Sequence, residues 1–219
     1  MLRSIAMPLR LILIRHGETD WNKEEVFRGL SDIRLNETGI AQAEATAESL
    51  KADLLEAIYS SPLKRALVTA RRIALPHDME VRLIDDLRDI NYGAWQGLTE
   101  AQVGEKWPKD YERWMKSPGR MRFVGGKSTK KCWKRVISAL RELLWLHGTG
   151  TIIIVSHRIP IKMMTAYLLG KNRHHINEIT HDPCAISVFE IKDRQDFRPV
   201  KLNDTSHLAS LHLADQKDF

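Results

Sequence analysis

Two short runs, residues 11–14 and 151–155, are unbroken by charge, and each leads into a histidine: Arg15-His16-Gly17 after the first, Ser156-His157 after the second. A run of that length without polar alternation reads as a strand buried on both faces, and such strands belong to parallel sheets covered by helices on either side. The chain between them supplies the helices. Asn36 or Thr38 caps one through about Ala52, with Ile40, Ala43, Ala47, Leu50 and Leu54 at helical spacing. Residues 57–59 read as a second strand, after which Ser60-Ser61-Pro62 opens a helix holding Arg65, Thr69 and Ile73. Residues 81–84 read as a third strand, and 128–147 as a long helix with an apolar face of Val136, Leu140, Leu143 and Leu144. Residues 159–169 form the helix after 151–155, Pro160 being tolerated in its first turn, and 185–190 a later strand. Strands alternating with helices predict an α/β fold, a three-layer α/β/α sandwich around a mainly parallel sheet. With 219 residues the chain suits one core, so a single domain is expected. Within it, about 92–135, rich in Gly, Pro and Trp, is expected to form a short cap-like insertion of helices and loops. Residues 203–219 are expected to be a peripheral tail.

Charge is unevenly distributed. The net charge is +6, yet residues 113–141 hold ten Lys or Arg and no Asp or Glu, leaving 24 basic against 28 acidic residues elsewhere. One segment therefore makes a mildly acidic chain basic, either as a solvated face or as a surface built for anions. Two distant cysteines, Cys132 and Cys184, argue against a disulfide framework or zinc knuckle and make a reducing cytoplasm the expected setting. No apolar run is long enough to span a bilayer. The first residues are positive and apolar, but Arg10 interrupts them and no small-residue cleavage site follows, which argues against a signal peptide.

An open parallel sheet holds its ligand at the carboxyl ends of its strands. His16, Arg65 and His157 all fall there. Arginine forks onto phosphate oxygens and stays charged at any working pH, while neutral imidazole can act as a nucleophile. No paired acids or His-x-x-x-His pattern calls for a metal, so no metal and no cofactor are expected; positive side chains would stabilise charge on a transferring group. Residues 126–129, Gly-Lys-Ser-Thr, imitate the end of a nucleotide-binding loop, but Met121 stands where that pattern needs glycine and no strand precedes it.

Arg15-His16-Gly17-Glu18-Thr19 with Trp21-Asn22 resembles the signature of the histidine phosphatase, or phosphoglycerate mutase-like, superfamily. Ser60-Ser61-Pro62-Leu63 with Arg65-Ala66 and Thr69-Ala70 resembles its second motif, residues 87–97 with Gly93, Trp95 and Gly97 its third, and Val155-Ser156-His157 its fourth. The resemblance implies that His16 is the nucleophile that becomes phosphorylated, and that Arg15, Arg65 and His157 bind the phosphate. It implies that Thr19 and Asn22 line the same pocket, and that Asp89 protonates the leaving alcohol and then activates water. Glu100 and Asp86 are the next candidates for that acid. Several positions depart from the pattern: Asp89 stands where Glu is common, and Arg28, Lys127 and Arg158 each add positive charge. Arg28, Gly29 and Arg158 are accordingly expected at the substrate.

These features lead to the expectation of a phosphomonoester hydrolase, metal-independent and acting through a phosphohistidine on a small, anionic phosphorylated metabolite. A cofactor-dependent phosphoglycerate mutase is the alternative within the family, and a catalytically inactive phosphate- or nucleic-acid-binding protein the alternative outside it. The long insertion of the mutases is lacking, and the basic segment has no aromatic-interleaved platform for nucleic acid. No membrane partner is expected, and a homodimer is left open.

Overall fold

The computed structural model describes residues 8–192 and 196–211. Residues 1–7, 193–195 and 212–219 lie outside it, and with them half of the stretch weighed as a signal peptide and the end of the expected tail. The elements run β1 (Leu9–Arg15), α1 (Asp20–Lys23), α2 (Glu37–Leu50), β2 (Ala57–Ser60), α3 (Lys64–Ala74), β3 (Val81–Leu83), α4 (Glu100–Lys106), α5 (Pro108–Lys116), α6 (Thr129–Leu146), β4 (Thr151–Ser156), α7 (Arg158–Leu168), β5 (Ile186–Ile191) and β6 (Phe197–Asp204). The sheet order is β3-β2-β4-β1-β5-β6, with β1 to β4 parallel and β5 and β6 antiparallel.

The unbroken apolar character of the central strands follows from this layering. Successive side chains alternate between faces. Leu11, Leu13, Ile152 and Ile154 enter the larger core with α6 and α7. Ile12, Ile14, Ile153 and Val155 enter the smaller one with α2 and α3. Beyond the half-buried Arg10–Thr151 pair, neither face of β1 or β4 meets water, so the positions that follow need no polar residue.

Residues between α3 and α6, joined by Phe27 from the segment between α1 and α2, build an aromatic knot. Phe27, Tyr92, Trp95 and Phe123 meet edge to face, with ring centroids 5.0–5.1 Å apart, and Trp114 packs against Tyr92 and Phe123. Gly125-Gly126 belongs to this packing rather than to any nucleotide: a Cβ on Gly126 would sit 2.4 Å from the Asn91 carbonyl oxygen, and Lys127 N–H donates to that same oxygen.

Two expectations need correction. A strand, β6, occupies 197–204, a stretch in which no element was expected; its register on β5 shifts near Val188. The chain beyond Asn203, expected to be peripheral, returns to the body as far as it is described. Leu208 is fully buried beside Ala43 and Cys184, and His207 Nε2 lies 3.1 Å from Thr46 Oγ1. A single buried leucine there anchors the segment that the sequence pattern left loose.

Candidate active site

The β1–β4 register pairs Arg15 with Ser156, and His16 N–H then donates to the Ser156 carbonyl at 2.9 Å. The ladder thus continues past the strand and sets His16 and His157 side by side, ring centroids 5.3 Å apart. The turn after His16 is held by backbone touching backbone: a Cβ on Gly17 would lie 2.4 Å from the Gly39 carbonyl oxygen, and one on Gly39 would lie 2.1 Å from that of Glu18.

The partners of His16 assign its tautomer. Nδ1 lies 2.7 Å from the Gly17 carbonyl oxygen, which can only accept, so Nδ1 carries the proton and Nε2 keeps its lone pair. Nε2 accepts from Arg65 Nε at 3.2 Å. Burial first, then the charges of Arg65, Arg15 and Arg28, hold the imidazole well below its usual pKa. His157 is depressed likewise, by burial and then by Arg65 and His16. Its Nε2 is 2.7 Å from Ser61 Oγ, and its buried Nδ1 has no hydrogen-bond partner.

Four arginines surround this pair: Arg15, Arg28, Arg65 and Arg158 are 4%, 8%, 0% and 7% exposed. Each is fixed. Arg15 donates to the His181 carbonyl (2.7 Å) and Arg28 to that of Trp21 (3.0 Å), while Arg158 bonds to Tyr92. Arg65 donates to the carbonyls of Ser31 (2.7 Å) and Gly29 (2.8 Å), and its Nη2 reaches Asp89 Oδ2 at 3.4 Å. Arg65 therefore touches both His16 and Asp89. Burial, followed by Arg15, Arg158 and Arg65, pulls the Arg28 guanidinium well below its usual pKa. Cations crowded in a low-dielectric site repel strongly, and a bound dianion relieves that repulsion.

Asp89 is the buried carboxylate facing them; Oδ1 accepts the Ile90 N–H at 2.9 Å. The other two candidates are elsewhere. Asp86 is exposed, and Glu100 sits on α4, where it accepts from the Tyr111 hydroxyl at 2.8 Å. Thr19 caps the short helix α1 that follows His16 and Asn22 lies within it; Asn22 Oδ1 accepts from both the Thr19 hydroxyl and its N–H. Gly29 adopts a positive φ of 49° and gives its carbonyl to Arg65.

A pocket of about 330 Å³ opens beside Asp89, lined in part by Leu30, Arg88, Asn91, Lys127, Lys131 and Arg135. Three members of the basic segment thus line the pocket that Asp89 borders. Others do not: Arg113 and Lys116 pair with Asp110 and Glu112 on α5. Arg135 had no distinguishing signal in the sequence, because its partners are backbone carbonyls. Among the described residues, no group of three or more His, Cys, Asp or Glu is placed to hold a metal ion, and no helix is long and apolar enough to cross a membrane.

Comparison with known proteins gives a consistent result. Phosphoserine phosphatase 1 of Hydrogenobacter thermophilus is 36% identical over 209 residues, covering 95% of this chain and 99% of that protein. The crystal structure of a phosphoserine phosphatase mutant from Entamoeba histolytica, in complex with phosphoserine, superposes with a TM-score of 0.81 at 33% identity, over 91% of this chain and 99% of that one. A mycobacterial glucosyl-3-phosphoglycerate phosphatase gives a TM-score of 0.81 at 27% identity, over 90% and 99%. The sequence model of the histidine phosphatase superfamily (branch 1) matches residues 11–205, and to that family this chain belongs.

Proposed function

We propose that this chain hydrolyses small phosphomonoesters whose leaving alcohol carries a carboxylate, passing the phosphoryl group first to His16 and then to water. The observation that carries the reading is the state of His16: neutral, protonated on Nδ1, with the Nε2 lone pair facing a nest of buried guanidinium groups. In the first step Nε2 attacks phosphorus, and the bond to the leaving oxygen breaks as Asp89 gives that oxygen a proton. In the second, Asp89 takes a proton from water, whose oxygen attacks phosphorus and frees Nε2. Arg15, Arg28, Arg65 and Arg158 bind the phosphoryl oxygens, with His157, and stabilise their charge throughout. Arg65, bonded to both groups, fixes the approach of the nucleophile relative to the acid.

The pocket beside Asp89 is where the leaving group must lie, since the acid has to reach its oxygen. Lys127 and Lys131 on its wall suit an anion. Phosphoserine and glucosyl-3-phosphoglycerate, named for two of the similar proteins, both bear a carboxylate near the phosphoester. A protein that only binds phosphate would need neither an unprotonated Nε2 nor a carboxylate bonded to the same arginine. Rapid quench with phosphoserine should trap acid-labile, alkali-stable phosphate on the wild type and none on His16→Ala. Labelling that persists in the variant overturns the reading.

A further inference from the structure

The segment ending at Asp89 has to hold one carboxylate at a fixed point, yet its only regular structure is a single 3-10 turn, Asp85–Leu87. Its carbonyls are satisfied from outside. Arg135, on α6, donates from Nη1 to the Asp86 carbonyl at 2.8 Å, and from Nη2 to those of Arg88 at 2.9 Å and Asp89 at 3.1 Å. Ser156 Oγ, at the end of β4, donates to the Leu87 carbonyl at 2.6 Å. Four consecutive carbonyls, 86 to 89, are thus taken up by two side chains from two other elements. Ser156 is the residue just before His157, so one of these ties runs directly to the floor of the site.

We propose that Arg135 is a positioning residue for proton transfer to the leaving group: its planar fork fixes the backbone from which the Asp89 carboxylate reaches the leaving oxygen. This rests on Asp89 being the acid. The partners of Arg135 are neutral, these carbonyls and the Cys132 sulfur at 3.4 Å, so the fork geometry is what matters rather than the charge. Lysine also has three N–H donors, but all leave a single nitrogen and cannot span the two positions from which Nη1 and Nη2 reach these oxygens. A misplacement of about 1 Å in a reacting group costs on the order of 100-fold in rate.

The test compares glycerol phosphate, an alkyl ester without a carboxylate, with an aryl phosphate whose leaving group needs little protonation. Arg135→Ala should lower kcat on the alkyl ester by roughly 10–100-fold, with a change of less than about threefold on the aryl ester. Arg135→Lys should keep most of that selective loss. In the Asp89→Asn background, Arg135→Ala should lower the alkyl rate no further, because the positioned group is already gone. Equal losses on both esters, full recovery with lysine, or additive losses in the double variant would each overturn the proposal. If Asp89→Asn itself fails to discriminate the two esters, the acid assignment falls instead. Should Arg135→Ala melt below the assay temperature, Arg135→Gln carries the same comparison.

Discussion

The floor of the site and the wall above it are both cationic, but the charges are held in different ways. On the floor, Arg15, Arg28, Arg65 and Arg158 are buried, each bonded to a fixed partner, and close enough to one another to depress Arg28. On the wall, Lys127 and Lys131 are both exposed, at the edge of an open pocket. Burial makes the first set a preorganised receptor whose field is poorly screened; exposure makes the second a steering field that salt can erase. The contrast suits a division of labour in which the floor recognises what every substrate shares, the phosphoryl group. The wall then reads what distinguishes one alcohol from another.

Removing the floor's nucleophile should have the largest effect. His16→Ala should lower turnover by roughly 10⁴-fold or more on every phosphoester, because the proposed nucleophile is removed; steady-state assay of an alkyl and an aryl ester checks this. Asp89→Asn, at the junction of floor and wall, should cost about 10²–10⁴-fold on alkyl esters and much less on aryl esters. Equal losses on both would break the assignment of the acid.

Acid should weaken the floor specifically. His16 and His157 are held below their usual pKa in the folded state, so the unfolded chain binds more protons as pH falls below about 6.5. Stability should therefore fall with decreasing pH from that point down to the folded pKa values, by up to about 1.4 kcal/mol per pH unit for each histidine. Urea unfolding between pH 7.5 and 5 should show the slope, and His157→Gln should reduce it. A slope unchanged in that variant removes His157 from the account.

The smallest effect belongs to the wall. Lys127→Glu with Lys131→Glu should lower kcat/KM for phosphoserine about tenfold at low ionic strength, with little change for a neutral alkyl phosphate. The difference should vanish near 1 M salt, where the Debye length is about 3 Å. A loss that survives high salt would mean that the lysines bind at contact rather than steer.

How far the sequence revealed this arrangement depended on where each residue finds its partner. The central strands were readable because both faces of β1 and β4 are buried, leaving continuous apolar runs. His16, Arg65 and His157 were readable because strand ends mark the ligand edge. β6 was not: Arg198, Pro199, Val200, Lys201 and Leu202 are all exposed, and the strand is held by its backbone ladder to β5 rather than by an apolar face. Arg135 was hidden for a related reason. Carbonyls 46 to 49 residues away leave no side-chain pattern to find. Arg28 and Arg158 stood out as added charge, but a linear chain gives no hint that both are buried.

The facing glycines at 17 and 39 bear on how such an enzyme can change. Their contact is main chain against main chain, so repacking neighbouring side chains cannot make room for even one methyl group. Any replacement at either position must move the turn that carries the nucleophile or the start of α2, and chemistry would be lost along with the fit. Apart from Arg135, the basic side chains of the pocket wall carry no such lock: Lys127 and Lys131 are exposed, and altering them disturbs no buried backbone. Variation that preserves activity is therefore channelled outward, which lets a lineage exchange one alcohol for another without renegotiating how phosphorus is attacked.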